Sequence, residues 1–277
     1  MSSFVPQDDR LCAKKHFCKK IKENLSTLAS QNLRIFKKMN LIKAFLLLFL
    51  VSSCQVTETI TINADGSGSI EVVQLRDENS YMQLAGENYS RENVFRDTTY
   101  IFKEYIKNYN GNFVKYTNEE QKLFEKYTNV KVLIKESSFE KEFKSTFSLD
   151  FKKASEIPDL YKTEDYADDI KYNYALTAES HYYKIDYGFD GKVFKRLVSI
   201  TNLAELQKTK DEFKKAGSKY VSLTQTYTLR YHFPEKIKSV SNEKAILSPD
   251  KKSLTLEFQL SECLQNPQMT NLEVVLE

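Results

Sequence analysis

Residues 56–75, VTETITINADGSGSIEVVQL, alternate apolar and polar positions on both sides of a glycine-bearing turn. Ile60 and Ile62 alternate with Thr59, Thr61 and Asn63, the period-two pattern of a half-buried strand. Asp65, Gly66, Ser67 and Gly68 form the turn, since glycine accepts positive φ without steric cost, and Ile70, Val72 and Leu75 carry the returning strand. Further on, Phe95, Phe102, Ile106 and Tyr109 recur at helical spacing, which predicts a helix over residues 90–109 closed by Asn110 and Gly111. Thr117 and Glu120 make a capping box for a second, shorter helix whose Leu123, Phe124 and Tyr127 face inward.

The pattern then returns to period two. Val130, Val132 and Ile134 alternate, as do Phe143, Phe147, Leu149 and Phe151, predicting two paired strands. Residues 154–174 read as a loosely helical excursion rich in acid (Asp159, Glu164, Asp165, Asp168, Asp169), and such a cluster is ordinarily a solvated face. A hairpin is expected over 183–200 around Asp190 and Gly191. Asn202 with Glu205 caps a helix ending near Ala216 and Gly217. Leu223, Tyr227, Leu229, Tyr231 and Phe233 then alternate until Pro234 breaks the strand. Leu254 to Leu260 and Leu272 to Leu276 alternate in the same way. Hairpins with interspersed helices predict an α+β fold, an antiparallel sheet with helices packed on one face, and a β-rich subdomain over 221–277.

Residues 39–54, MNLIKAFLLLFLVSSC, break this pattern. Lys37, Lys38 and Lys43 supply a basic region, residues 44–51 an apolar one, and Val51, Ser52, Ser53 and Cys54 a small-residue processing site. The apolar run is far shorter than the roughly 20 residues of a transmembrane helix. The segment resembles bacterial lipoprotein signal peptides, whose motif is a branched aliphatic, two small residues and cysteine. That resemblance implies cleavage between Ser53 and Cys54 and a diacylglyceryl thioether on Cys54. Two acyl chains anchor a protein stably where one does not. Residues 1–38 then read as an upstream extension outside the native protein, 39–53 as signal peptide and 54–277 as the mature domain. Cys12, His16 and Cys18 lack the second ligand pair of a zinc site.

The anchor changes the reading of composition. The whole chain is formally +3, but residues 1–53 carry 10 Lys+Arg and 3 Asp+Glu, so the remaining 224 residues carry 31 and 35 and are formally −4. No basic stripe remains to bind nucleic acid. Cys54 and Cys263 are the cysteines left, so a lipidated Cys54 leaves Cys263 without a disulfide partner.

Catalytic motifs are missing. The loop at 65–68 lacks the terminal ligands of a calcium loop and the lysine of a phosphate loop. His181 and His232 lie beside strand aromatics, and His232 has the opposite parity to Tyr231 and Phe233, so it points away from their face. No G-x-S-x-G, H-E-x-x-H or Cys-x-x-Cys occurs. The expectation is a non-enzymatic protein without cofactor or metal; the alternative is an envelope hydrolase using His181, His232 or Cys263. A deep Phe- and Tyr-lined cavity would favour an amphiphile binder, and a histidine bonded to a buried carboxylate would favour the enzyme.

Beyond the signal peptide, the turn at 65–68, Asp97-Thr98-Thr99, and the region from Phe233-Pro234 onward resemble envelope lipoproteins of the Bacteroidetes type. The anchored hairpin is also distantly similar to LppM-like envelope lipoproteins, which implies a lipid-binding pocket. These resemblances imply a protein attached to the membrane through Cys54, with a lipid or an envelope protein as partner. By resemblance to lipoprotein sorting rules, Gln55 in place of aspartate implies the outer membrane, and the lack of an acidic run behind the cysteine implies its periplasmic face.

Overall fold

The chain is described by a computed structural model covering residues 54–216 and 225–277. The signal segment, Ser53 and the upstream extension lie outside the described residues, as do 217–224. In chain order the strands and helices are β1 (Cys54–Ile62), β2 (Gly68–Arg76), α1 (Glu78–Ala85), β3 (Phe95–Ile101), α2 (Phe102–Asn108), α3 (Asn110–Phe113), α4 (Asn118–Glu125), β4 (Lys131–Ser137) and β5 (Glu142–Phe151). There follow α5 (Thr163–Tyr172), β6 (Tyr183–Phe189), β7 (Val193–Ile200), α6 (Leu203–Ala216), β8 (Thr226–His232), β9 (Ile237–Val240), β10 (Ile246–Leu247), β11 (Ser253–Gln259), α7 (Leu260–Gln265) and β12 (Leu272–Leu276).

The strands form two sheets. The larger has the order β10-β11-β8-β1-β2-β5-β4-β3 and the smaller β6-β7-β12-β9. Pairing is antiparallel except between β1 and β8, which run parallel, Val56 opposite Tyr227 and Thr61 opposite His232. The fold is α+β, as expected. The segment after residue 225 is β-rich, but its strands are divided: β8, β10 and β11 extend the large sheet, while β9 and β12 complete the small one. Helices are not the sole cover of the large sheet. Phe194 of β7 packs edge-on against Tyr231 of β8 at 5.3 Å, so over β1 and β8 the second sheet supplies the opposite wall.

The helix expected over 90–109 is corrected. Residues 95–101 form β3, paired with β4 from Phe95 opposite Ser137 to Ile101 opposite Lys131, and helix begins only at Phe102. Thr98, Thr99 and Ile101 are β-branched and suit a pleated surface better than a helix. Phe95, assigned to the inner stripe, is exposed, and Tyr100 is buried in its place. Gly111 does not end the helix either: α2 stops at Asn108 and Gly111 lies within the single turn of α3.

At the β1–β2 turn Gly66 adopts φ 82°, and a Cβ on Gly68 would stand 2.0 Å from the Thr61 carbonyl oxygen. The Asp65 carboxylate accepts from the Ser67 amide at 3.0 Å and from its hydroxyl at 2.6 Å, closing the turn.

Candidate functional site

Two polar features occupy the interior, and one of them opens to solvent. The first is an ion pair joining the sheets. Glu58 of β1 and Arg196 of β7 are both buried, with Nε to Oε1 at 3.2 Å and Nη2 to Oε2 at 3.3 Å. Tyr231 donates to Oε1 at 2.5 Å and Tyr227 to Oε2 at 2.8 Å. The remaining guanidinium protons go to the Thr270 hydroxyl at 2.7 Å, its carbonyl at 3.2 Å, and the Tyr227 hydroxyl at 2.6 Å. Burial alone would raise the Glu58 pKa. The Arg196 charge and the hydrogen bonds from Arg196, Tyr231 and Tyr227 outweigh it and hold the carboxyl below its usual range. The charges are matched and their hydrogen bonds are made, so the pair braces one sheet against the other.

The second feature is a cleft of about 860 Å³ between the end of β5, the strand β6 and residues 155–162. Asp159 forms part of its wall and is 8% exposed. Its main-chain oxygen accepts from Tyr127 at 3.0 Å and Oδ1 from the Tyr161 amide at 3.2 Å. Oδ2 is buried and has no hydrogen-bond partner among the described residues. Burial pushes this carboxyl up to about 6, against the opposing charges of His181 and Lys162. Beside it the buried Lys162 ammonium lies 3.1 Å from Glu179, which also accepts from the Tyr166 hydroxyl. The acidic segment is therefore not a uniformly solvated face: Asp159 and Asp169 are buried, and Asp169 accepts from the Thr177 amide at 2.9 Å and hydroxyl at 2.7 Å.

The residues singled out from sequence are scattered. His181 bonds Asp165 at 3.0 Å, but that carboxylate is about half exposed. His232 is exposed, as its parity predicts, with Nδ1 2.8 Å from Ser253 Oγ. Cys263 is a free, buried cysteine in α7, and burial pushes its thiol up to about 12. No hydrogen bond or ion pair joins any two of the three among the described residues. Cys263 is accordingly expected to resist iodoacetamide at pH 8 in the native protein and to react once unfolded in guanidinium. Rapid native labelling in a mass-spectrometric time course would contradict that burial.

Sequence reasoning passed over Glu58, Arg196 and Asp159, although the first two left a signal. Glu58 shares the parity of Val56, Ile60 and Ile62, and Arg196 that of Phe194 and Val198, so both charges stand in apolar rows. Asp159 left none, because it lies in an irregular segment.

Cys54 is the first residue of β1 and pairs with Arg76 at the end of β2. No helix among the described residues is long and apolar enough to cross a membrane.

The class of protein defined here is an α+β fold of two sheets tied by a buried ion pair. No family model and no curated protein matches the chain. Among solved structures it is similar to the NMR structure of the folded domain of Mycobacterium tuberculosis LppM, at 9% identity and a TM-score of 0.34, covering 82% of this chain and 91% of that one.

Proposed function

We propose that this chain is a lipid-anchored, non-catalytic protein of the cell envelope, held through Cys54 to the periplasmic face of the outer membrane and presenting its cleft to a protein partner. The observation that supports this reading is the placement of Cys54 at the start of β1. β1 starts on the residue that the signal motif marks for lipid, with no linker between them. β1 and β2 run about 27 Å from that end at the rise of an extended strand. At the far end Gly68 pairs with Phe151, and Leu149, Asp150 and Phe151 line the cleft. The membrane end and the cleft end are thus opposite ends of one sheet.

The lining favours a polar partner over an amphiphile. Nine of its nineteen residues are Lys, Asp or Glu. A lipid tail would strip water from those groups without replacing its hydrogen bonds, whereas a peptide segment brings donors and acceptors of its own. The Oδ2 of Asp159, buried without a hydrogen-bond partner among the described residues, is the acceptor left over for such an N–H.

Incorporation of labelled palmitate into the full chain is expected, and its complete loss in Cys54→Ser. Unlabelled wild-type protein, or equal labelling of the variant, would remove the anchor. For the partner, a photocrosslinker at Glu156 on the cleft wall is expected to give a discrete protein adduct in intact envelopes. An adduct pattern identical to that from a crosslinker at the exposed Ile246 would remove the partner.

A further inference from the structure

Large apolar side chains are exposed at the end of the big sheet where β1 begins. Strand polarity places them there. β5 starts at that end, since Leu75 pairs with Lys144, and β4 finishes there, since Ser137 pairs with Glu142. β3 starts there too, with Phe95 opposite Ser137. The β4–β5 turn carries Phe139, 96% exposed, and the entry to β3 carries Phe95, 79% exposed. Val94 and Met82 are also exposed at this end, the latter on α1 directly after β2. Nothing on the solvated flank of a strand end calls for two bare phenylalanines at the same end of the sheet.

The end is built rigidly. Arg76, the register partner of Cys54, is clamped by Glu78 (Nε to Oε1, 2.6 Å) and by both oxygens of Glu92 at 2.8 and 3.0 Å. Its guanidinium stacks over Phe143 and Tyr81. Val94 and Ser138 exchange hydrogen bonds, Ser138 amide to Val94 carbonyl and Val94 amide to Ser138 hydroxyl, each 2.9 Å, which ties the Phe139 turn to the entry of β3. The phenylalanines therefore stand out from a fixed platform.

We propose that this end of the sheet is a lipid-surface docking rim, with Phe139 and Phe95 as the side chains that enter the acyl boundary. The proposal rests on the reading of Cys54 as the lipid anchor, and it adds a second, non-covalent contact that sets how the domain stands on the membrane. Three observations select a bilayer as the occupant. Cys54, the residue read as the lipid anchor, is the first residue of β1 at this end, so the rim lies where the acyl chains would leave the domain. The exposed side chains include the aromatic Phe95 and Phe139 and the aliphatic Val94 and Met82, residues that partition into the acyl boundary. Arg76 is paired with Glu78 and Glu92 and Lys135 with Glu140 and Glu142, while the exposed Lys141 lies 4.1 Å over the Tyr89 ring, so the apolar side chains carry the main part of the contact.

The chain contains no tryptophan, so a single introduced one reports on its own surroundings. Full-length protein carrying Phe139→Trp, Phe95→Trp or Ile246→Trp would be reconstituted into phosphatidylethanolamine–phosphatidylglycerol vesicles with brominated acyl chains, and Cys54 checked by peptide mass. Ile246 is exposed and sits level with Thr59 through Thr255 and Arg230, about 17 Å up the sheet. The expected result is blue-shifted, quenched emission from positions 139 and 95, retained in 0.5 M salt, and unquenched emission from position 246. Lipid on Cys54 with no quenching at 139 and 95 overturns the rim and leaves the anchor. Quenching without lipid on Cys54 keeps the rim and overturns the anchor. Neither lipid nor quenching overturns both.

Discussion

Arg196→Met is expected to lower stability by about 3–5 kcal/mol, because it strands the Glu58 carboxylate in a buried, aromatic interior. For a domain of this size the thermal midpoint should fall by on the order of 10 °C. The large cost comes from what is left behind. An ion pair held away from water is worth little against an apolar pair of equal volume, yet removing one member leaves the other uncompensated. The double variant Glu58→Gln, Arg196→Met is therefore expected to be more stable than Arg196→Met alone, since no charge then remains unpaired. Chemical denaturation of the three proteins separates the cases, and a loss below about 1 kcal/mol for Arg196→Met would mean that water reaches the pair.

The same pair has a pH signature. Because the folded Glu58 carboxyl lies below its ordinary value of 4.5, its contribution is fully present above that value and is lost as pH falls through the folded pKa. Acid unfolding should accordingly be milder in the double variant.

Asp159→Asn is expected to act in the opposite direction. The carboxyl is raised from 3.8 to about 6, so between those values the unfolded chain releases a proton that the folded chain keeps. Stability therefore falls as pH rises across that window and levels off above it. At about 1.4 kcal/mol per pKa unit, ionised Asp159 costs the fold roughly 3 kcal/mol at neutral pH. The amide should recover about 2–3 kcal/mol at pH 7.5 and flatten the slope between pH 4 and 6, as read by urea denaturation across that range. Equal stability and an unchanged slope would show that the buried oxygen is satisfied by solvent. A position where a neutral isostere stabilises the protein is characteristic of a site kept for binding at the expense of stability. Asp159→Asn should also weaken the adduct formed through Glu156.

What could be read in advance divides by range along the chain. Local patterns served well: the β1–β2 and β6–β7 hairpins, the Thr117 cap and the final alternating strands follow from residues within a few positions of one another. The parallel pairing of β1 with β8 had no local mark, because it joins segments as far apart as Glu58 and Tyr227, 169 residues. The aromatic spacing over β3 mimics a helix, whereas its β-branched residues Thr98, Thr99 and Ile101 favour the strand that forms. The brace was half legible. Glu58 and Arg196 each stand in an apolar row, but only the meeting of two sheets shows that each answers the other. Asp159 could not be found from sequence, since its burial depends on β6 and on the turns that enclose it.

The acidic segment is solvated at Asp168 and partly at Glu164 and Asp165, but not at Asp159 and Asp169, for the same reason. Charge density along the chain reports solvation only where a face is free, and here Asp169 closes onto Thr177 and Asp159 onto its own backbone turn. Lys162, one turn away, is buried with them and is answered by Glu179.

The most direct measurement is the mass of the amino-terminal peptide of the protein extracted from membranes. The expected result is a chain that begins at Cys54 and carries a diacylglyceryl group on its sulfur. A chain that still holds residues 39–53, with an unmodified Cys54 thiol, would contradict it.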